Sequence, residues 1–319
     1  MASLTDLNLV LLAAGKARRY KGIKPLAPIG PNGEAVIDLS VSDAIDAGFS
    51  HITIVINPQS GPLIQEHIRT NWPESISVSY AHQEIPLGTV DAVRQAQEAL
   101  DPSLPFGVLN GDDLYGADAL RRLAETLNTT SSTALIGFHL DRALVEGDPV
   151  TRGVCTIKND RLLTIAERRN VVQRDGRFEA NDEREPQVLP PGTIVSMNLW
   201  GFRPYMWELF TQAMEVATDA SEDNEVLLPE LVADMVAGKY EAAFPGTRDV
   251  LVSVTESPCV GVTHPDDLVL VQKKIREQIA DGHRQEAIFQ THRHLNLEEP
   301  RRPGGKCRGD DVPTWRNPE

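Results

Sequence analysis

Five basic residues, Lys16, Arg18, Arg19, Lys21 and Lys24, crowd into one short stretch of a chain whose formal net charge is -15. They follow an apolar run, Leu7 to Ala14, that ends in Gly15. A strand that ends in a glycine turn exposes backbone N–H groups, and residues as small as Ala13, Ala14 and Gly15 let a ligand approach them closely. Concentrated positive charge beside such groups suits a polyphosphate. The same residues also read as an ordinary strand and turn carrying solvated cations, and residue types alone leave both readings open. Two common phosphate loops are absent. G-x-G-x-x-G needs glycine where Ala17 stands, and G-x-x-x-x-G-K-[ST] does not occur.

The elements that must position this charge follow from hydrophobic periodicity. LNLVLLA is continuously apolar, as expected of a strand covered on both faces. Ala35–Ala47, Ser60–Thr70, Thr89–Leu100 and Ala117–Leu127 have helical spacing. HITIVIN, Ile76–Ala81, Pro105–Leu109 and Thr133–His139 read as strands. The alternation predicts an α/β, Rossmann-like fold: a mixed, mostly parallel central sheet with helices on both faces. In such sheets ligands bind at the carboxyl ends of the strands, where the Gly15 turn stands.

After Asp141 the pattern changes to added short strands and helices. Gly153–Ile157, Leu162–Glu167, Thr193–Phe202, Val250–Thr255 and Cys259–Val262 are strand-like, and Met206–Ala217, Val226–Ala237 and Asp266–Ala280 helical. Asn170–Pro191 is polar and charged, expected as a loop or an irregular hairpin. Residues 1–282 are expected to form one domain, with residues 1–140 as its nucleotide-binding half and 141–282 as its acceptor-binding half. Residues 283–319 form an extension, rich in Pro, Gly and Arg from about Leu297 and expected to be partly disordered.

With 46 acidic against 31 basic residues, the chain's global field opposes non-specific binding to nucleic acid or anionic lipid. No apolar run reaches the length of a membrane span, and Leu7–Ala14 reads as a strand, not a signal peptide, so a cytoplasmic location is the expectation. Cys155, Cys259 and Cys307 are scattered, which argues against a zinc site or a disulfide framework. His292 and His294 flank Arg293 at metal-like proximity but read as surface residues, and Trp200 and Phe202 as core.

LAAGKARRY followed by Lys24-Pro25-Leu26 resembles the L-A-A-G-x-G-x-R…K-P/Q-L signature of the nucleotidyltransferases, including sugar-phosphate nucleotidyltransferases such as those that thymidylylate glucose 1-phosphate. The resemblance continues through Gln83 and Pro86–Ala92, similar to Q-x-x-x-G-T-A-D/G-A, to Asn110-Gly111-Asp112-Asp113, similar to the family's G-D or A-D metal motif. It implies a nucleotide-diphospho-sugar transferase type of fold. The activity implied joins a nucleoside triphosphate to a phosphorylated small molecule, such as a sugar 1-phosphate or cyclitol phosphate, and releases pyrophosphate. Arg19 is assigned by it to the triphosphate and Lys24 to the α-phosphate and acceptor phosphate. Asp112 would hold Mg²⁺, which favours carboxylate and phosphate oxygens. Leu12, Ala13, Ala14, Gly15, Lys16, Gln83, Gly88 and Thr89 would frame the nucleotide. Gly153, Glu167 and Asn198 fall where the family contacts its sugar.

Three departures stand out. Ala17 replaces the family's second glycine, Arg18 replaces its Ser or Thr, and Glu167-Arg168-Arg169 replaces the E-K-P of the thymidylyltransferases. These leave the acceptor's identity open. Asp112 also reads as a helix N-cap. Asp113 reads as a cap of the following helix or as a second metal ligand, the cap being preferred. Thr263, Asp266 and Asp267 lie where a late metal ligand is common, but the two acids read better as a helix start. A glycosyltransferase using a nucleotide-sugar donor, with Asp112-Asp113 as a degenerate D-x-D site, is the rival enzyme. A non-catalytic nucleotide-binding regulator is the rival outside catalysis. The base, the acceptor and any homo-oligomeric state are not set by the sequence.

Overall fold

The computed structural model describes residues 6–15, 22–143, 149–174, 176–217, 225–262, 267–282 and 284–289. In chain order its first part runs β1 (Leu7–Leu12), α1 (Val36–Asp46), β2 (Phe49–Ile56), α2 (Gly61–Asn71), β3 (Ser77–His82), α3 (Thr89–Gln95), β4 (Phe106–Asn110), β5 (Asp113–Leu114), α4 (Ala117–Thr129) and β6 (Thr133–His139). Its second part runs β7 (Val150–Lys158), β8 (Arg161–Arg174), β9 (Arg177–Ala180), β10 (Val188–Leu189), β11 (Ile194–Phe202), α5 (Met206–Val216), α6 (Leu228–Val236), β12 (Val250–Thr255), β13 (Val260–Gly261) and α7 (Asp267–Ala280). A 3-10 turn at Lys24–Leu26, with Pro25 in its first turn, follows the loop after β1.

One large sheet takes the order β10-β9-β8-β12-β6-β11-β4-β1-β2-β3, with β7 pairing β11 and β8. The sheet is mixed, as expected, but not mostly parallel: among the described residues four of its strand pairings are parallel and seven antiparallel, because the strands added after Asp141 run mainly antiparallel to their neighbours. Pairing is parallel across β4-β1-β2-β3 and between β12 and β6, and antiparallel elsewhere. The apolar run of β1 is explained by what covers it. Leu7, Leu9 and Leu11 face a cluster that includes Ile37 and Val41 of α1, Ile64 of α2 and Leu123 of α4. Val10 faces the opposite cluster, with Val90 and Val93 of α3, Phe210 of α5 and Leu231 of α6. Alternate residues of one strand thus enter two cores, so no position can be polar without an internal partner. Trp200 and Phe202 lie wholly within the second core, as expected.

The second half departs from its expected outline in length. The short strands expected near Gly153–Ile157 and Leu162–Glu167 are one long antiparallel hairpin, β7–β8, whose partner strand β8 runs on to Arg174. The stretch Asn170–Pro191 adopts the irregular-hairpin alternative, with β9 on β8 and β10 on β9. Polar residues hide these strands in the sequence because one face of the hairpin is exposed. No described helix is long and apolar enough to cross a membrane.

Candidate active site

Parallel register brings the ends of β1, β2 and β4 level: Leu12 stands beside Val55 on one side and Asn110 on the other. The loops that leave these ends form a cleft. Ala13 N–H donates to Val55 O at 2.8 Å, Gly111 N–H to Leu12 O at 2.8 Å and Asn57 Nδ2 to Ala14 O at 2.9 Å, so the residues after β1 are tied on both flanks. Gly15 beyond them has open space where a Cβ would stand, as close backbone approach by a ligand requires.

At the centre of the cleft Lys24 Nζ donates to Asp112 Oδ2 at 3.2 Å. Their side chains are 20% and 35% exposed, so the pair is reachable from solvent. Two cavities meet here. One, of about 510 Å³, is lined by Leu12, Gly15, Lys24, Asn57 and Asp112. The other, of about 470 Å³, shares Leu12, Gly15 and Asp112 and adds Ala14, Gln83, Gly88 and Thr89.

Gln83 is buried, and its Nε2 donates to Gly88 O at 3.1 Å and Asp91 Oδ2 at 3.0 Å. Gly88 has φ 103°, and a Cβ there would overlap the backbone of Val226. Thr89 Oγ1 accepts from Leu228 N–H at 2.8 Å. Gln83 and Thr89 therefore shape the turn before α3 and fasten it to the second half, besides lining the cavity.

A third cavity, of about 280 Å³, opens from the second through shared Thr89, Asn110 and Asn198. It gathers Gly153, Glu167 and Asn198. Register explains how: Ser196 of β11 faces Gly153 of β7, which faces Glu167 of β8. β11 breaks register between Ser196 and Trp200, and Asn198 has φ 61°, a left-handed conformation that asparagine tolerates better than most residues. The indole N–H of Trp200 donates to Asn198 Oδ1 at 3.2 Å, which leaves the amide NH₂ as a donor. Tyr115 ties the bulge to the end of β4: its hydroxyl donates to Met197 O at 2.8 Å and accepts from Asn110 N–H at 3.1 Å. Glu167 Oε1 accepts from Arg169 Nε at 2.9 Å.

The expectation for Asp113 needs correction. Asp113 does not cap α4, whose N-cap is Gly116 with no side-chain cap. Asp113 lies in β5, held by pairing with β13, and lines the third cavity. Its carboxyl is pushed up to about 6, chiefly by burial and then by the neighbouring Asp112, against a hydrogen bond from Asn110 and the charges of Arg152 and Lys24. Asp112 is not a cap either. Of the motif Glu167-Arg168-Arg169, the middle residue turns away from the cleft. Arg168 is buried, bidentate to Asp182 at 2.8 and 2.9 Å, and also donates to the carbonyls of Arg184 and Pro186.

Arg19, Lys16, Thr263, Asp266 and the His292–His294 segment lie outside the described residues. Asp267 opens α7, as its helix-start reading expected. Sequence reasoning missed Asn57, Asn110 and Arg152. Asn110 carried a signal, a polar residue closing an apolar strand beside Gly111; Arg152 carried none beyond preceding Gly153. Cys259 also lines the third cavity, and burial holds its thiol well above the ordinary range, so it is protonated and no nucleophile.

Residues 9–146 match the nucleotidyl transferase family. Residues 9–146 are thus similar to a nucleotidyl transferase domain. Among curated relatives, the bifunctional protein GlmU of Hyphomonas neptunium is 33% identical over 144 residues, 44% of this chain and 30% of that protein. The chain thus spans under a third of that relative's length. Two solved structures share the fold beyond the domain. A proposed glucose-1-phosphate thymidylyltransferase from Bacillus anthracis, in complex with sucrose, has a TM-score of 0.61 at 13% identity and covers 85% of this chain and 96% of its own. HddC from Yersinia pseudotuberculosis, complexed with GMP-PN, has a TM-score of 0.54 at 18% identity, with 84% and 98% covered.

Proposed function

We propose that the protein transfers a nucleotidyl group from a nucleoside triphosphate to a phosphorylated sugar or cyclitol, giving a nucleotide-diphospho-sugar type of product and pyrophosphate. One observation carries the reading: the Lys24–Asp112 pair stands where two cavities meet, and the one of these bounded by Gln83, Gly88 and Thr89 connects in turn, through Asn110 and Asn198, to a third bounded by Gly153 and Glu167. The first half of the chain would hold the nucleotide and the second the acceptor. The domain match and the GlmU relative support the nucleotidyl transfer, and the thymidylyltransferase and its sucrose complex are in keeping with a sugar.

In the proposed step an oxygen of the acceptor phosphate forms a bond to the α-phosphorus. The bond to the β-phosphate bridging oxygen breaks, and its electron pair leaves with pyrophosphate. The attacking oxygen is already anionic, so no general base is needed. Alignment and charge neutralisation supply the rate. Lys24 would meet the negative charge gathering on the α-phosphate, with Arg19 as its proposed partner at the triphosphate. Leu12 to Gly15 would offer backbone to the nucleotide. Glu167 and Asn198 would orient the acceptor, one accepting and one donating hydrogen bonds.

The donor set suits Mg²⁺ completed by substrate. No cluster of three or more His, Cys, Asp or Glu side chains that could hold a metal occurs among the described residues. Asp112 offers a reachable carboxylate beside Lys24, and Mg²⁺ commonly binds through one or two carboxylates plus phosphates. Bound there, the ion would neutralise phosphate charge. The test is a matrix of common nucleoside triphosphates against phosphorylated acceptors with Mg²⁺, reading pyrophosphate and nucleoside diphosphate. Pyrophosphate from one pairing is the expected result. Nucleoside diphosphate released from a nucleotide sugar instead, with no pyrophosphate, would replace this reading with the glycosyltransferase.

A further inference from the structure

The third cavity holds a carboxylate that the proposed reaction leaves without work. Asp113 lines its wall, and features of the fold serve its placement. β5 is only two residues long, and it pairs antiparallel with β13 so that Asp113 stands opposite Gly261. A Cβ on Gly261 would overlap Asp113 Oδ1, and Gly261 is not among the glycines of positive φ. Glycine there leaves the space that this carboxylate oxygen occupies, and a side chain would displace it. The other oxygen, Oδ2, accepts from Asn110 Nδ2 at 3.0 Å, and the Asp113 carbonyl accepts from Ser40 Oγ at 3.2 Å. One carboxylate oxygen is thus fixed by an amide, and the other is given a recess beside the cavity.

A cation of that wall acts on this group by its charge but donates no hydrogen bond to it. Arg152 lines the same cavity, but its guanidinium donates to backbone carbonyls, twice to Ala143 O at 3.0 and 2.7 Å and once to Thr151 O at 2.9 Å. Among the described residues no ion pair within 4.0 Å involves Asp113. A desolvated carboxylate held in place without an ion-pair partner is costly unless something else donates to it. Glu167 stands in the same cavity with the same preference for donors.

We propose that Asp113 is a specificity residue of the acceptor pocket, which accepts a hydrogen bond from a hydroxyl or amino group on the acceptor's ring, at the side away from the phosphate. The inference rests on the function proposed above and narrows it: the acceptor carries hydrogen-bond donors at two separate positions, one for Glu167 and one for Asp113. A monofunctional phosphorylated alcohol has no group for the second.

Asp113→Asn tests this. Asn110 Nδ2 still needs an acceptor, so it holds the new amide's oxygen and turns the NH₂ towards the cavity, where it cannot accept from the substrate. The expected result is an acceptor KM raised about ten- to a hundredfold, with the triphosphate KM and the Mg²⁺ concentration for half-activity nearly unchanged. An acceptor analogue lacking the donor at the contacted position should bind wild type and variant alike. Gly261→Ala, which leaves the carboxylate in the chain but displaces it, should move the acceptor KM in the same direction. A matching rise in the Mg²⁺ requirement would make Asp113 a metal ligand and overturn the proposal. So would an unchanged acceptor KM in both folded variants. If the unsubstituted protein turns over no triphosphate and acceptor, the proposed function itself fails, a different result from inert substitutions in an active enzyme.

Discussion

The two sides of the cleft are built by different means. On the proposed nucleotide side, parallel strands of matched register end level, and each candidate group sits within a few residues of a strand end: Gly15 after β1, Asn57 after β2, Gln83 after β3, Asp112 after β4. On the acceptor side the groups lie in the middle of antiparallel strands, and a register row and a bulge aim them. The first arrangement places chemistry on loops that tolerate exposure. The second places it on a framework whose own polar pairs must hold. Substitutions should therefore fail differently on the two sides, chemistry without folding on one and folding or acceptor binding on the other.

The largest effect is expected on the acceptor side. Arg168→Met leaves Asp182 buried without its partner, since both side chains are about 5% exposed, and should cost about 3–5 kcal/mol, read from denaturant unfolding at neutral pH. The hydrogen bonds from Arg168 hold the Asp182 carboxyl well below the usual carboxylate range. A depressed native value means the stabilisation is fully present above the unfolded value of about 3.9 and is lost as pH falls below it. The gap between wild type and Arg168→Met should therefore shrink below about pH 4 and stay constant above about pH 5. A gap that widens on acidification would contradict the pairing.

Next in size, Lys24→Ala and Asp112→Ala should each lower kcat by about 10²- to 10³-fold while leaving the unfolding midpoint in place, because both side chains are partly exposed. Near-normal turnover in both would remove them from the site. Asn198→Ala should raise the acceptor KM about tenfold and spare the triphosphate KM. An equal rise in both would erase the contrast between the two sides. Tyr115→Phe, which loses the hydroxyl bridge between Met197 O and Asn110 N–H, should cost about 1 kcal/mol of stability and loosen the acceptor side first.

The same contrast decides what the sequence could convey. β1 to β4, β6 and the helices between them were legible because two-sided burial writes itself as apolar runs and helical stripes, and because the charged turn and Asp112 sit beside those runs. The pair Lys24–Asp112 joins two motifs that each stood out alone. The acceptor side was less legible because its determinants are non-local. Nothing in SMNLWGF marks Asn198 as a left-handed residue in a bulge, and the tie from Tyr115 that fastens it lies 82 residues away. Asp113 read as a cap because its partner strand, β13, lies far along the chain. Arg168 stood out only as a departure from the E-K-P motif, because Asp182 pairs with it only once β8 and the following hairpin have formed.

The most direct test is a crystal of the protein grown with Mg²⁺, a non-hydrolysable nucleoside triphosphate and the acceptor that the activity matrix selects. The account predicts phosphate density against Lys24 and Asp112, the base near Gln83 and Gly88, and the acceptor ring beside Gly153, Glu167 and Asn198. Nucleotide bound elsewhere, or a bound state in which the Asp112 carboxylate points away from the phosphates, would contradict it.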